Sequence, residues 1–133
     1  MLTVTAISAS ILAFIYVKLS LNVVGYRRKY RISVGDGGEE NLLRSIGAQS
    51  NLAEYAPIGL ILVACLEYNG APIWISSVLA AMLVLGRILH PIGMKDPAIS
   101  WQPRMRGMQL TLFSIVALGI ANIGTVVWRI FSG

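Results

Sequence analysis

Three long runs without a charged residue limit what this chain can become. Leu2–Val17, Tyr68–Gly86 and Gly107–Trp128 contain no Asp, Glu, Lys or Arg. About 20 apolar residues cross a bilayer as a helix, so the last two runs each read as a membrane span. The first run is interrupted by Lys18, yet hydrophobic sequence resumes from Leu19 to Tyr26. A lysine there can snorkel or face protein, so a span over about 2–26 is predicted. Only 13% of the 133 residues are charged and 56% are hydrophobic, which excludes an ordinary soluble domain. The N-terminal run lacks a basic leading segment and a convincing cleavage site, so it reads as a retained helix rather than a signal peptide. Cys65 is the single cysteine; it has no intramolecular disulfide partner and reads as a small packing residue.

A further span is predicted over about 39–67. Glu39 and Glu40 suit the partial positive charge of a helix N-terminus. The glycine-rich loop "SVGDGG" precedes it and the turn "YNGAP" follows it. The remaining spans are placed at about 73–90, where Pro91 breaks the helix, and at about 106–130. The expected fold class is thus an all-α membrane protein, a single four-transmembrane-helix domain over residues 1–133. Arg27, Arg28, Lys29 and Arg31 follow the first span, and Lys95, Arg104 and Arg106 precede the last, whereas the middle turn is uncharged. The positive-inside rule then puts both basic loops in the cytoplasm. The net charge of +5 belongs to helix ends and gives no sign of nucleic acid binding.

The polar residues inside the spans carry the chemistry. On an α-helix Arg44, Asn51 and Glu54 fall within about 80° of one another, a polar stripe on the second span. A charged side chain at mid-span costs about 2.5 to 3.5 kcal/mol on insertion scales, so Glu54 needs a cation or a proton. Arg87 is the obvious cation, with His90 about 60° around the same face. Such a pair serves equally to fix the bundle or to build a site, and His90 beside Pro91 reads first as a helix-end residue. Pro57 predicts a kink beside Glu54. Arginines at four helix ends, Arg27, Arg28, Arg44, Arg87, Arg104 and Arg106, repel one another unless an anion arrives, which points to a small anionic ligand. No metal-ligand spacing, serine triad or phosphate-binding glycine loop is present.

Three blocks, "AQSNLAEYAP", "LGRILHP" and "RMRGMQLTL", in this order and spacing, resemble the membrane-associated proteins in eicosanoid and glutathione metabolism, the MAPEG family. The "SVGDGG" loop resembles that of bacterial inner-membrane members. The resemblance covers most of the chain. It implies a homotrimer with glutathione as co-substrate in three sites between subunits, open to the cytoplasm. The expected activity is a glutathione-dependent transferase or peroxidase-like enzyme acting on a lipophilic small molecule from the lipid bilayer. Asn51, Glu54 and Tyr55 match residues that hold the glutathione amine and backbone, Gln49 a further contact, and Arg87 a carboxylate-binding arginine. His90 falls at a site-lining position, Arg27 or Arg28 near a carboxylate-binding arginine, and Arg106 where the family stabilises the thiolate. Two positions depart from the family: Gly47 replaces an arginine, for which Arg44 is the nearest substitute, and Met94 replaces a tyrosine. Two other readings follow from a lone membrane carboxylate, a small proton-coupled multidrug-type transporter centred on Glu54, or a noncatalytic protein of the same architecture.

Overall fold

The computed structural model describes residues 1–94 and 101–132; Lys95, which entered the reading of the third loop, lies outside them. The chain forms four helices, α1 (Thr3–Tyr30), α2 (Glu40–Tyr68), α3 (Ile73–Ile92) and α4 (Gln102–Ser132). Each is long and apolar enough to cross a membrane. The four-helix expectation is met, but three boundaries move. Helix α1 does not stop at Tyr26; the basic Arg27, Arg28 and Lys29 complement the negative end of the helix dipole and so extend it. It ends where Arg31 takes a left-handed conformation (φ 57°, ψ 39°) and the Ile32 amide donates to the Arg27 carbonyl at 3.0 Å, a Schellman closure.

Helix α3 passes through Pro91 to Ile92 instead of ending at His90. A proline so near the C-terminus removes one intrahelical bond and leaves little helix beyond it to disrupt. Helix α4 starts at Gln102, earlier than the expected 106, because Pro103 falls in the first turn, where an amide donor has no intrahelical acceptor. Helix α2 runs unbroken through Pro57, whose ring lies on the exposed side.

Helices α2 and α3 form the middle of the bundle, with α1 packed on both from one side and α4 on both from the other; among the described residues α1 and α4 do not meet. One core cluster gathers Leu12 and Leu19 of α1, Ala48, Leu52 and Ala56 of α2, and Leu83 and Val84 of α3. A second, nearer the α2–α3 turn, joins Val63, Leu66, Ala80 and Leu118. The α3–α4 crossing is the closest. A Cβ built on Gly86 would lie 2.7 Å from the Gly107 carbonyl oxygen, and one on Gly107 would lie 2.6 Å from the His90 amide nitrogen. Small residues at such crossings let backbones touch, the form helix packing takes in lipid.

At the far end, Glu67 of α2 ties down the start of α1. Its carboxylate accepts from the Val4 amide at 3.0 Å, the Thr5 amide at 2.7 Å and the Thr5 hydroxyl at 2.6 Å. It satisfies α1 amides that have no acceptor within their own helix, and α1 has no side-chain cap of its own. Cys65, expected as a packing residue, is exposed; Val63 and Leu66 take the inward positions on that turn.

Candidate functional site

The polar centre of the bundle is built around Arg87, the largest fully buried side chain, 1% exposed. Its Nε donates to Thr111 Oγ1 at 2.9 Å, and Nη1 donates to both the Oδ1 and the backbone carbonyl of Asn51. Nη2 faces the Met108 sulfur at 3.7 Å, and the guanidinium carbon lies 5.4 Å from the centroid of the Tyr55 ring. The expected Arg87–Glu54 pair is therefore not formed. The reason is helical geometry: Asn51 and Tyr55, one turn apart, occupy the face of α2 that meets α3, and Glu54 falls to its exposed side. Glu54 makes no hydrogen bond or ion pair among the described residues, where the single ion pair joins Arg44 to Glu40.

A guanidinium has only donors, so the Asn51 amide must present its oxygen to Arg87. Its NH2 group is thereby turned away from Arg87, as a donor with a fixed direction. Thr111 is locked as well: its hydroxyl donates to the Gly107 carbonyl at 2.9 Å while accepting from Arg87. The close Gly86–Gly107 approach is what brings Thr111 to Arg87. Arg87 thus orients the α2 face bearing Asn51 and Tyr55, through neutral partners and an aromatic ring. Thr111 and Met108 were not singled out from the sequence. The only signal was their place four and one residues beyond Gly107 in the "RGMQLTL" block.

The other expected site residues are distributed around this centre. His90 stands in the last turn of α3, a helix-end residue as expected, and is buried, 4% exposed, at the α3–α4 crossing beside Gly107. Gln49 donates from Nε2 to the Ser20 hydroxyl of α1 at 2.9 Å, joining α1 to α2 within the subunit. Arg27 donates to the carbonyls of Ser33 and Gly35 at 3.1 and 3.0 Å, holding the glycine-rich loop against the end of α1. Arg28 is exposed, as are Arg104 and Arg106 in the first turns of α4. Arg44, the nearest substitute for the arginine absent at position 47, bonds instead to Glu40 one turn earlier on its own helix. The two departures from the family meet: the Met94 methyl carbon lies 3.1 Å from where a Gly47 Cβ would be. The corner in which an arginine at 47 would begin is filled by methionine.

A sequence model of the MAPEG family matches residues 5–124. The chain is also similar to the inner membrane protein YecN of Escherichia coli (strain K12), with 32% identity over 127 residues, 96% of this chain and 95% of that protein. The protein of the same name from a second Escherichia coli strain matches over the same share of both chains at the same identity.

Proposed function

The chain belongs to the MAPEG family, and from that premise we propose that it is an integral inner-membrane enzyme using glutathione as co-substrate, a transferase or peroxidase-like enzyme for lipophilic electrophiles. The observation that supports this reading is the buried Arg87 holding Asn51 and Tyr55 in fixed orientations beside an exposed Glu54. Glutathione has one ammonium and two carboxylates. Glu54 would take the ammonium, and the outward Asn51 amide and Tyr55 hydroxyl would take the peptide backbone. Arg28, exposed while Arg27 is committed to the loop, is the better carboxylate partner of the two.

On an isolated subunit Glu54, Arg28 and Arg106 all lie on the surface, and an exposed carboxylate within a span calls for a partner. A homotrimer supplies one: neighbouring copies close the site, with Gln49 and Arg28 from one subunit facing Asn51, Glu54 and Arg106 of the next. In that arrangement Arg106 stands beside the glutathione sulfur. A fixed cation there favours the thiolate over the thiol, the proton passing to solvent. The sulfur lone pair then forms a bond to an electrophilic carbon presented from the lipid, and the bond to its leaving group breaks, or a ring or double bond opens.

The test is near-ultraviolet absorbance of the thiolate on adding glutathione to the purified protein, with calorimetry alongside. Arg106→Gln should abolish the absorbance while binding persists, and Glu54→Gln should weaken binding. No thiolate signal and no heat at millimolar glutathione would remove the proposal. Proton release on addition of lipophilic cations, abolished in Glu54→Gln, would put the transporter reading in its place.

A further inference from the structure

A second polar feature lies apart from the Arg87 centre. Between α1, α2 and the end of α3 there is a cleft of about 510 Å3. Among the described residues three cations line it, Lys18 and Lys29 of α1 and Arg44 of α2, and no carboxylate does. Glu40 answers Arg44 from the turn before, so the cleft keeps a positive balance. Neutral groups are interleaved, among them Asn22 and Ser45, and apolar surface comes from Leu21 and Met94.

Lys18 is the unusual member. It sits twelve residues before the end of α1, about 18 Å along the helix, and is the one charged side chain between Leu2 and Tyr26. Among the described residues it has no hydrogen-bond or ion-pair partner. A lysine so placed extends its ammonium toward the polar end of the helix, which here leads along the cleft toward Lys29 and Arg44. The cleft therefore joins cations at its mouth to a deeper cation and an apolar wall. That combination suits an anion carrying an apolar portion, because a small hydrated ion would gain nothing from Leu21 and Met94.

We propose that this cleft binds a phosphate-bearing anion, with the head group of an anionic phospholipid as the source that its apolar wall favours. The phosphate is held by Arg44 and Lys29 at the mouth, and the Lys18 ammonium reaches up to it from below; the glycerol and upper acyl chain lie against Leu21 and Met94. This site goes beyond the glutathione reading and shares none of the residues proposed to hold the thiol, so either can fail alone.

Native mass spectrometry of the protein in neutral detergent, titrated with short-chain phosphatidylglycerol, phosphatidylcholine or glycerol phosphate, tests it. One phosphatidylglycerol per subunit should bind in preference to phosphatidylcholine. Lys18→Leu and Arg44→Gln should each weaken it about tenfold, the scale of one charge-assisted contact. Arg129→Gln, at the opposite end of the bundle, should leave it unchanged. Lys18→Leu removes a charge from a span and so should not impair folding; its thermal midpoint provides the check. Glycerol phosphate binding as tightly as the lipid, with the same loss in both variants, would keep the phosphate site and overturn the lipid source. Equal binding of phosphatidylcholine, wild-type binding by Lys18→Leu and Arg44→Gln, or an equal loss in Arg129→Gln would overturn the site itself.

Discussion

Thr111→Val isolates the support beneath Arg87. The replacement keeps the shape of a side chain that is 0% exposed and removes one hydroxyl. Two bonds go with it, the 2.9 Å acceptance from Arg87 Nε and the 2.9 Å donation to the Gly107 carbonyl. A hydrogen bond to a charged group contributes about 1.5 to 3 kcal/mol, and a buried donor left unsatisfied loses a similar amount. The bond to Gly107 counts for less, since that carbonyl also belongs to the α4 ladder. Thr111→Val should therefore destabilise the fold by about 2 kcal/mol. In an Arg87→Met background the donor is already gone, and the same replacement should cost well under 1 kcal/mol, a coupling of about 1.5 kcal/mol. Reversible unfolding in mixed dodecyl maltoside and sodium dodecyl sulfate micelles, followed by circular dichroism, gives all four corners of the cycle. Asn51→Leu should couple to Arg87→Met with the same sign. Additive effects at Thr111, or a stronger coupling of Arg87 to Glu54 than to Thr111, would refute the neutral-partner account of Arg87.

Gly107→Ala and Gly86→Ala place a methyl against backbone atoms 2.6 to 2.7 Å away; each should cost about 1 to 3 kcal/mol in the same assay. Gly119→Ala meets nothing within 4 Å and should be neutral or stabilising by up to about 1 kcal/mol. Glu67→Ala deprives the first turn of α1 of three hydrogen bonds, and a loss of about 1 to 2 kcal/mol is expected, with faster amide exchange at Val4 and Thr5. Gly47→Ala should be nearly silent, because the atom it meets is the mobile end of Met94, whereas Gly47→Arg should be tolerated only when Met94 is shortened to Ala.

Two of the four helices were legible because lipid imposes a crude rule: charge-free length decides the span, and the runs ending at Gly86 and Trp128 satisfy it, whereas α1 is read across Lys18 and α2 from its acidic start and flanking turns. Helix ends were less so. Whether Arg27 to Lys29 terminate α1 or prolong it depends on a left-handed Arg31 that no local pattern announces. The stripe of Arg44, Asn51 and Glu54 was correct as angular geometry, but an 80° sector is wide enough to span an inward and an outward face. Asn51 turned in, Glu54 turned out, and Arg44 met its own-helix neighbour Glu40. Charge complementarity favoured Glu54 for Arg87. It was overridden by the phase of α2, which turns Asn51 rather than Glu54 toward α3, and by the Gly86–Gly107 contact, which brings Thr111 to the guanidinium.

Neutral partners around Arg87 have a consequence for Glu54. Had the two formed a buried pair, the ion pair would have satisfied itself and left α2 without an unmet charge. With Asn51 and Thr111 in that place, the carboxylate stays on the outer face of a membrane helix, where burial against lipid is unfavourable. Selection among assemblies then falls to whatever brings a positive group to that face: an arginine of a neighbouring copy, the ammonium of a ligand, or both in one site. Arg87 fixes the inward Asn51 side chain one turn away, so α2 offers a directed amide donor on the face adjoining the unmet acceptor. An α-amino acid end, with its ammonium and carboxylate on adjacent atoms, is complementary to that pairing. A simple cation would satisfy Glu54 and leave the donor fixed by Arg87 without an acceptor.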